Sequence, residues 1–186
     1  MTMLHAGNGG MCFIDSVELD EVYTPIVVKS RRLIRDSEGA GRFRGAPGIE
    51  VELGPVDCRM EAGFVADGNI NNPLGARGGG AAAKSDQFRR KKDGSVERLE
   101  QCSQVWIEDG EMLVSIACGG GGYGDAYSRD PARVQQDVQE GLVSRRRARK
   151  VYGVALKTNG RVDEEATKQL RKVGRATART ARGRKQ

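Results

Sequence analysis

The sequence predicts an α+β fold: a β-rich body with glycine-rich loops, followed by two or three C-terminal helices. Short β-branched segments precede residue 118, and several alternate apolar and polar side chains. Helix-capping residues and helical spacing come only after residue 129. The 26 glycines among 186 residues cluster between the β segments, at about twice average usage. We expect a β-rich domain over 1–128, a helical ending over 129–174 and a basic, frayed tail over 175–186.

The first strand is expected within residues 17–34, which lead into the β-branched run 22–28. Pro25 places this strand at an edge or at its own start, because proline cannot donate a hydrogen bond to a neighbouring strand. Four carboxylates lie nearby, and we interpret them as the acidic face of an edge strand, with paired acid–base catalysis as the open alternative. They are Asp15, Glu18, Asp20 and Glu21.

Two further strands and a long loop follow. Alternating apolar and acidic side chains over 49–53 predict a half-exposed strand, and 58–65 is another strand candidate. Residues 67–87 hold five glycines and three asparagines, with little to pack. Loops of this length in compact domains are usually functional or covered by a partner, so this one is a candidate contact region.

Two hairpins are predicted before residue 118. Residues 89–95 have the composition of an exposed hairpin tip. Asp109-Gly110 lies between two β-rich runs, a strong short-range hairpin signal. We therefore expect the runs 104–108 and 112–117 to pair with each other.

Three helices are predicted after residue 129. Asp130 is an N-cap candidate and Pro131 suits the first helical position, so one helix begins there. Ser144 is expected to cap a second, short helix that Gly153 ends. Acidic residues at 163–165 open a third, because carboxylates favour the positive end of a helix dipole.

The net charge of +6 is unevenly distributed. Residues 145–186 hold 15 of the 31 basic residues and 3 of the 25 acidic ones, which gives this part +12 and the rest −6. A solvated tail, or docking on an acidic partner, is favoured over nucleic-acid binding, because no aromatic residue follows Tyr152 on which a base could stack.

Composition excludes several classes of protein and site. No segment approaches the roughly 18 consecutive apolar residues of a membrane helix, and no secretory signal is visible, so we expect a cytoplasmic protein. The single histidine, His5, cannot build a zinc cluster alone. The cysteines are far apart and are expected to be ordinary, reduced, buried thiols. They are Cys12, Cys58, Cys102 and Cys118.

Two glycine-rich motifs approach nucleotide-binding loops without completing them. Residues 119–124 satisfy GxGxxG, but the next helix starts only at Asp130. In 78–85, Ala83 replaces the glycine that a P-loop needs. Cys118 has no neighbouring histidine to activate it as a nucleophile. The glycines are therefore interpreted as permitting close approach by another chain or a ligand.

Taken together, these segments resemble the hydantoinase B/oxoprolinase family. Residues 36–48 read DSEGAGRFRGAPG and resemble that family's DSGGAGRWRGG-x-G segment. Residues 67–80, with DG and then PLGARGGG, resemble its D-R…PP-x-G-x-x-GG loop, and 117–125, ACGGGGYGD, resemble its TPGGGGYGDP signature. The resemblance spans about residues 15–154, in the family's order, and looks like the C-terminal third of longer members.

The resemblance implies a small subunit of a multisubunit ATP-dependent enzyme. It would contribute to hydrolysis of a cyclic amide (hydantoin, 5-oxoproline or lactam), together with a hydantoinase-A-like ATP-binding subunit and the N-terminal part of a hydantoinase-B-like subunit. A subunit of an acetone or acetophenone carboxylase is one alternative. A non-catalytic assembly or nucleic-acid-binding protein that uses the basic tail is another. ATP and a divalent metal are expected on the partners and none on this chain, which alone should be inactive.

No catalytic residue and no metal ligand is assigned. The glycine loops 67–80 and 119–124 are expected to pack against the partner that carries metal and substrate. The candidate substrate or interface contacts in and beside them are Asn72, Arg77, Gly121, Tyr123 and Asp125.

Overall fold

The computed structural model describes residues 16–183, and the side chains of residues 16–174. His5, Cys12, Asp15 and the last residues of the predicted tail, 184–186, lie outside this part. The strands are β1 (Ile26–Leu33), β2 (Ile49–Pro55), β3 (Met60–Val65), β4 (Asp86–Arg90), β5 (Val96–Arg98), β6 (Cys102–Ile107) and β7 (Met112–Ala117). The helices are α1 (Val17–Tyr23), α2 (Pro131–Gln139), α3 (Arg145–Val151) and α4 (Glu164–Gly183). The α+β class is confirmed.

The strands form two antiparallel sheets. The larger has five strands in the order β1–β2–β7–β4–β5, and the smaller is the pair β3–β6. Strand β1 lies at an edge and starts directly after Pro25, as predicted. Leu113 of β7 packs in one apolar core with Leu99, Ile107 of β6 and half-buried side chains of β3. The smaller sheet therefore covers one face of the larger one.

One hairpin prediction is confirmed and the other is wrong. Strands β4 and β5 pair across the turn at Gly94, as expected. Asp109-Gly110 does form a tight turn, with the Glu111 amide donating to the Glu108 carbonyl at 2.9 Å. However, β6 pairs with β3, while β7 pairs with β2 and β4. The Asp-Gly turn specifies a chain reversal, and both edges of β7 are occupied by other strands.

The acidic segment before β1 is a helix, so its interpretation as an edge-strand face is wrong. Glu18 and Asp20 lie in the first turn of α1, where carboxylates suit the helix dipole. Asp20 pairs with Arg31 of β1 at 3.2 Å, and Glu21 accepts from the Val28 amide at 2.8 Å. These two carboxylates hold α1 against β1.

Strand β2 has the predicted position, but its acidic face is less exposed than alternation suggested. Glu52 is only 8% exposed. Its carboxylate lies 3.2 Å from Lys29 Nζ and 3.0 Å from Arg90 Nε. Burial by itself would raise the pKa of Glu52, but these two hydrogen-bonded cations outweigh it and lower the pKa. The carboxylate thus joins three strands of the larger sheet.

The lowered pKa of Glu52 predicts a pH-dependent part of stability. A carboxyl group whose pKa is lower in the folded state stabilises the fold above its ordinary pKa, and this contribution is lost as the pH falls through the lowered value. Chemical denaturation across the acidic range should show a shallower acid-side loss of unfolding free energy for Glu52→Gln than for the unmodified chain. Parallel profiles for the two proteins would contradict the assignment.

The helical ending follows the predicted capping residues. Asp130 caps α2 by accepting from the Ala132 amide at 2.9 Å, and Ser144 caps α3 by accepting from the Arg147 amide at 3.0 Å. Helix α4 differs from expectation, because its backbone stays helical beyond residue 174 to Gly183 rather than fraying there. The alanines and arginines of this segment are strong helix formers, which explains the difference. No helix within residues 16–183 is long and apolar enough to cross a membrane.

Candidate functional site

Three glycine-rich segments meet beside the end of β7. We call them the glycine core, and they are residues 37–48, 73–83 and 117–125. The segments are joined by backbone hydrogen bonds, from the Gly39 amide to the Gly120 carbonyl (2.8 Å), from Gly80 to Ala40 (2.6 Å) and from Gly122 to Gly80 (3.0 Å). Each segment therefore touches both of the others.

The glycines of this core are required by packing. A Cβ atom on Gly122 would lie closer than 3.0 Å to the Ala40 carbonyl oxygen, a separation that real Cβ atoms essentially never show. The same holds for Gly121 against the Leu74 carbonyl. Neither glycine has a positive φ. Backbone lies directly against backbone here, and no side chain fits between.

This arrangement gives the glycine loops an internal role. Within the described residues they approach one another and the segment 37–48, and their packing against a partner stays a prediction. Several amides that a nucleotide loop would offer to phosphate are also used internally. Gly120 donates to Ala46, Gly122 to Gly80 and Gly124 to Ala76. The sequence reveals that a close approach occurs but not which backbone makes it.

An aromatic patch lies on the surface of the glycine core. We define it as Phe43, Tyr123, Arg42 and Arg77. The rings of Phe43 (51% exposed) and Tyr123 (45% exposed) have centroids 6.4 Å apart. The Arg42 guanidinium lies 5.5 Å from the Phe43 ring centroid, and that of Arg77 lies 5.9 Å from the Tyr123 ring centroid. Exposed aromatic and arginine side chains together are typical of protein-interface hot spots.

The structure brings two of the five candidate contact residues into this patch. Arg77, in the left-handed region at φ 49°, makes a cation–π contact with Tyr123 at 5.9 Å from the ring centroid. Gly121 lies inside the core. Asn72 donates to the Ala82 carbonyl at 3.0 Å, and Asp125 accepts from the Tyr127 amide at 3.0 Å. The last two have loop-anchoring bonds, and substrate contact by any of the five stays a prediction.

Sequence reasoning missed a buried ionic group that holds the first glycine segment. Glu38 is 1% exposed, and its Oε1 accepts from Arg147 Nε at 2.7 Å and from the Tyr152 hydroxyl at 2.8 Å. Burial and the Glu38 charge raise the pKa of Tyr152 far above its ordinary value. Tyr152 therefore stays neutral and donates to the carboxylate.

A second missed group surrounds Asp137 of α2, which is 3% exposed. Its Oδ1 accepts from Arg44 Nε at 2.8 Å, and its Oδ2 accepts from a terminal nitrogen of Arg129 at 2.8 Å. Glu38 and Arg44 thus tie segment 37–48 to the helices. In the sequence, the feature that could have indicated these groups is the presence of Glu38 and Arg44 in a segment otherwise rich in small residues.

The described residues hold free thiols but no cluster of metal-binding side chains. No group of three or more His, Cys, Asp or Glu side chains within residues 16–174 could hold a metal ion. Cys58, Cys102 and Cys118 are free thiols, and Cys102 is exposed. The expectation of buried thiols is therefore wrong for these three, because Cys58 and Cys118 are only partly buried. Cys102 is exposed because its strand is half of a two-stranded sheet whose outer face is open.

Comparisons with known proteins point in one direction. A sequence model described as Hydantoinase B/oxoprolinase matches residues 1–126. The caprolactamase subunit beta of Pseudomonas jessenii is 35% identical over 162 residues, which cover 85% of this chain and 28% of that protein. The acetone carboxylase alpha subunit of Xanthobacter autotrophicus is 26% identical over 177 residues, covering 76% and 23% respectively.

The folds also agree. The crystal structure of the ATP-dependent caprolactamase from Pseudomonas jessenii superposes with a TM-score of 0.68 at 31% identity, covering 84% of this chain and 28% of that one. The chain therefore spans less than a third of the length of these relatives.

Proposed function

Because the chain belongs to the hydantoinase B/oxoprolinase family, we propose that it works as a subunit of an ATP-dependent enzyme complex of the hydantoinase or carboxylase type. The observation that carries this proposal is the 35% identity to the caprolactamase subunit beta across 85% of the chain. The partners would be a hydantoinase-A-like ATP-binding subunit and the remaining, N-terminal part of a hydantoinase-B-like subunit. ATP and a divalent metal would be bound by these partners.

Hydrolysis of a cyclic amide is the reaction we favour. The caprolactamase subunit beta is 35% identical across 85% of this chain, whereas the acetone carboxylase alpha subunit is 26% identical across 76% of it. An amide carbonyl is a poor electrophile, and transfer of a phosphoryl group from ATP to its oxygen would activate it for attack by water. Carboxylation of a ketone stays the second candidate, supported by the match to the acetone carboxylase alpha subunit over 76% of the chain.

The role of this chain would be to support and present the aromatic patch. The interlocked glycine backbones hold Phe43 and Tyr123 side by side, with the Tyr123 amide donating to the Phe43 carbonyl at 2.8 Å. The buried Glu38 and Asp137 groups anchor the same segment to α2 and α3. Little conformational freedom remains to be lost on association, which favours binding.

Reconstitution tests the proposed function. The chain would be co-expressed with the two partner polypeptides, and the purified complex would be given ATP with caprolactam, 5-oxoproline, hydantoin, or acetone plus bicarbonate. We expect ADP release coupled to ring opening of at least one cyclic amide. ATP hydrolysis that is coupled only to consumption of acetone and bicarbonate would instead support the carboxylase function. ATP turnover that is identical with and without this chain would contradict a role in the enzyme.

The purified chain alone is expected to show neither ATPase nor amidase activity. The loops that resemble nucleotide sites use many of their amides internally, and residues 16–174 hold no metal-binding cluster. Phosphate release and lactam consumption should match protein-free buffer, with the reconstituted complex as the positive control. Sustained ATP turnover that survives further purification would contradict this prediction.

A further inference from the structure

A groove of about 510 Å³ lies between α3 and α4, outside the glycine core. Its wall along α4 is formed by Ala166, Leu170 and Val173, which follow one another at spacings of four and three residues and so share one helix face. Val173 is 66% exposed. This apolar stripe extends about 10 Å along the helix axis. Such a stripe is one half of a helix–helix contact.

The base of the groove is preformed. The ring of Tyr127 lines it and lies against two glycines, Gly153 and Gly174. A Cβ atom on Gly153 would lie 2.7 Å from a ring carbon, and one on Gly174 would lie 2.5 Å from the same carbon. The absence of side chains at these two glycines therefore leaves the space that the ring occupies. An occupant would meet the edge of this aromatic ring at the base of the groove.

The rim of the groove is cationic. Arg149 and Lys150, both exposed, line it together with the neutral Gln169. Two of the other basic residues of α3 are hydrogen-bonded elsewhere, Arg147 to Glu38 and Arg145 to two carbonyl oxygens. Within the described part of the chain, no acid pairs with Arg149 or Lys150. Both residues lie in the last turn of α3, where cations favour the negative end of the helix dipole. The helix dipole explains their position but not the apolar residues that lie beside them on α4.

We propose that this groove binds an acidic amphipathic helix of a protein partner. The partner's apolar residues would pack between α3 and α4, and its carboxylates would face Arg149 and Lys150. The groove lies between two helices, with half-buried Ala166 and Leu170 on its wall and exposed Val173 beside them, which suits a helix. This inference rests on the proposed function in one respect, because a subunit of the proposed complex would supply the helix. The test uses the full chain alone, so the two proposals can fail separately.

Two fluorescent peptides test the proposal. Each is an amphipathic helix of about 18 residues, roughly 27 Å long, with leucines on one face and either glutamates or lysines on the other. Anisotropy titration of the full chain should show the glutamate peptide binding at least about tenfold more tightly than the lysine peptide. Arg149→Glu/Lys150→Glu should reverse this preference. Val173→Asp, a change at an exposed position, should weaken binding of the glutamate peptide by about tenfold or more.

A matched control separates a docking site from general electrostatics. Lys84→Glu/Arg133→Glu makes the same change in net charge at exposed positions that do not line the groove, and it should leave the affinity within about twofold. Equal weakening by this control, or no effect of Val173→Asp, would overturn the proposal. Anionic vesicles that bind with the same dependence on Arg149 and Lys150, and that displace the peptide, would assign the surface to a membrane instead.

Discussion

Asp137→Ala is expected to destabilise the folded chain by about 3–5 kcal/mol, because removal of one member of a buried ionic group leaves its partners charged and uncompensated. Asp137 is 3% exposed, and the side chain of Arg129 that it neutralises is 8% exposed. Arg44 would lose its partner at the same time. Urea denaturation followed by circular dichroism gives the free energy of unfolding for both proteins.

Glu140→Ala is the control for this prediction. Glu140 is the C-cap of the same helix, three residues after Asp137. It is exposed, and it accepts a hydrogen bond from Gln136. Its replacement should change the free energy of unfolding by no more than about 0.5 kcal/mol. Asp137→Asn keeps a hydrogen-bond acceptor but no charge, so its loss of unfolding free energy should lie between those of Asp137→Ala and Glu140→Ala. Similar losses for Asp137→Ala and Glu140→Ala would mean that the buried ionic group does not hold the helices to the glycine core.

Gly121→Val is expected to prevent the glycine core from forming, with a loss of at least about 3 kcal/mol. Overpacking usually costs 1–3 kcal/mol when side chains can move aside, but here the obstacle is the Leu74 carbonyl, which belongs to the backbone. The effect comes from packing alone, because Gly121 has no positive φ. Thermal unfolding and the yield of soluble protein measure the outcome.

Two variants control for this substitution. Gly63→Ala changes a glycine whose added Cβ would meet nothing within 4 Å, so it should be nearly neutral. Cys118→Ser keeps the side-chain volume beside the same glycine run and should cost far less than Gly121→Val. Close backbone packing would not be the reason for these glycines if Gly121→Val had the same melting temperature as the unmodified chain. The same would follow if Gly63→Ala lowered the stability as much as Gly121→Val.

Local chemistry carried much of the fold prediction. The N-caps of α2 and α3, the edge position of β1 and the β4–β5 hairpin each depend on a few neighbouring residues, and all agree with the structure. The pairing of β6 with β3 could not be deduced, because a turn sequence defines chain reversal and not the lateral neighbour of each strand. Helix α1 was missed for a related reason, since seven residues carry too short a pattern to separate helix from strand.

The candidate site was predictable only in part. The glycine runs marked where backbone would meet backbone, and Arg77 and Tyr123 do lie together on the surface. The partner backbone was another segment of the same chain, about 80 residues away in sequence for Gly39 and Gly120. The buried contacts of Glu38 are longer still in sequence, 109 and 114 residues. Pairings of this kind depend on the tertiary fold, which no local pattern contains.

We propose that this chain joins its ATP-dependent complex through the aromatic patch. The most direct test is co-elution of the full chain with the tagged partner polypeptides, comparing the unmodified chain with Phe43→Glu/Tyr123→Glu. Both positions are about half exposed, so the variant should keep the circular dichroism spectrum and melting temperature of the unmodified chain. We expect the unmodified chain to co-elute and to support ATP-coupled ring opening, and the variant to elute alone. Co-elution and full activity of the variant would contradict the account.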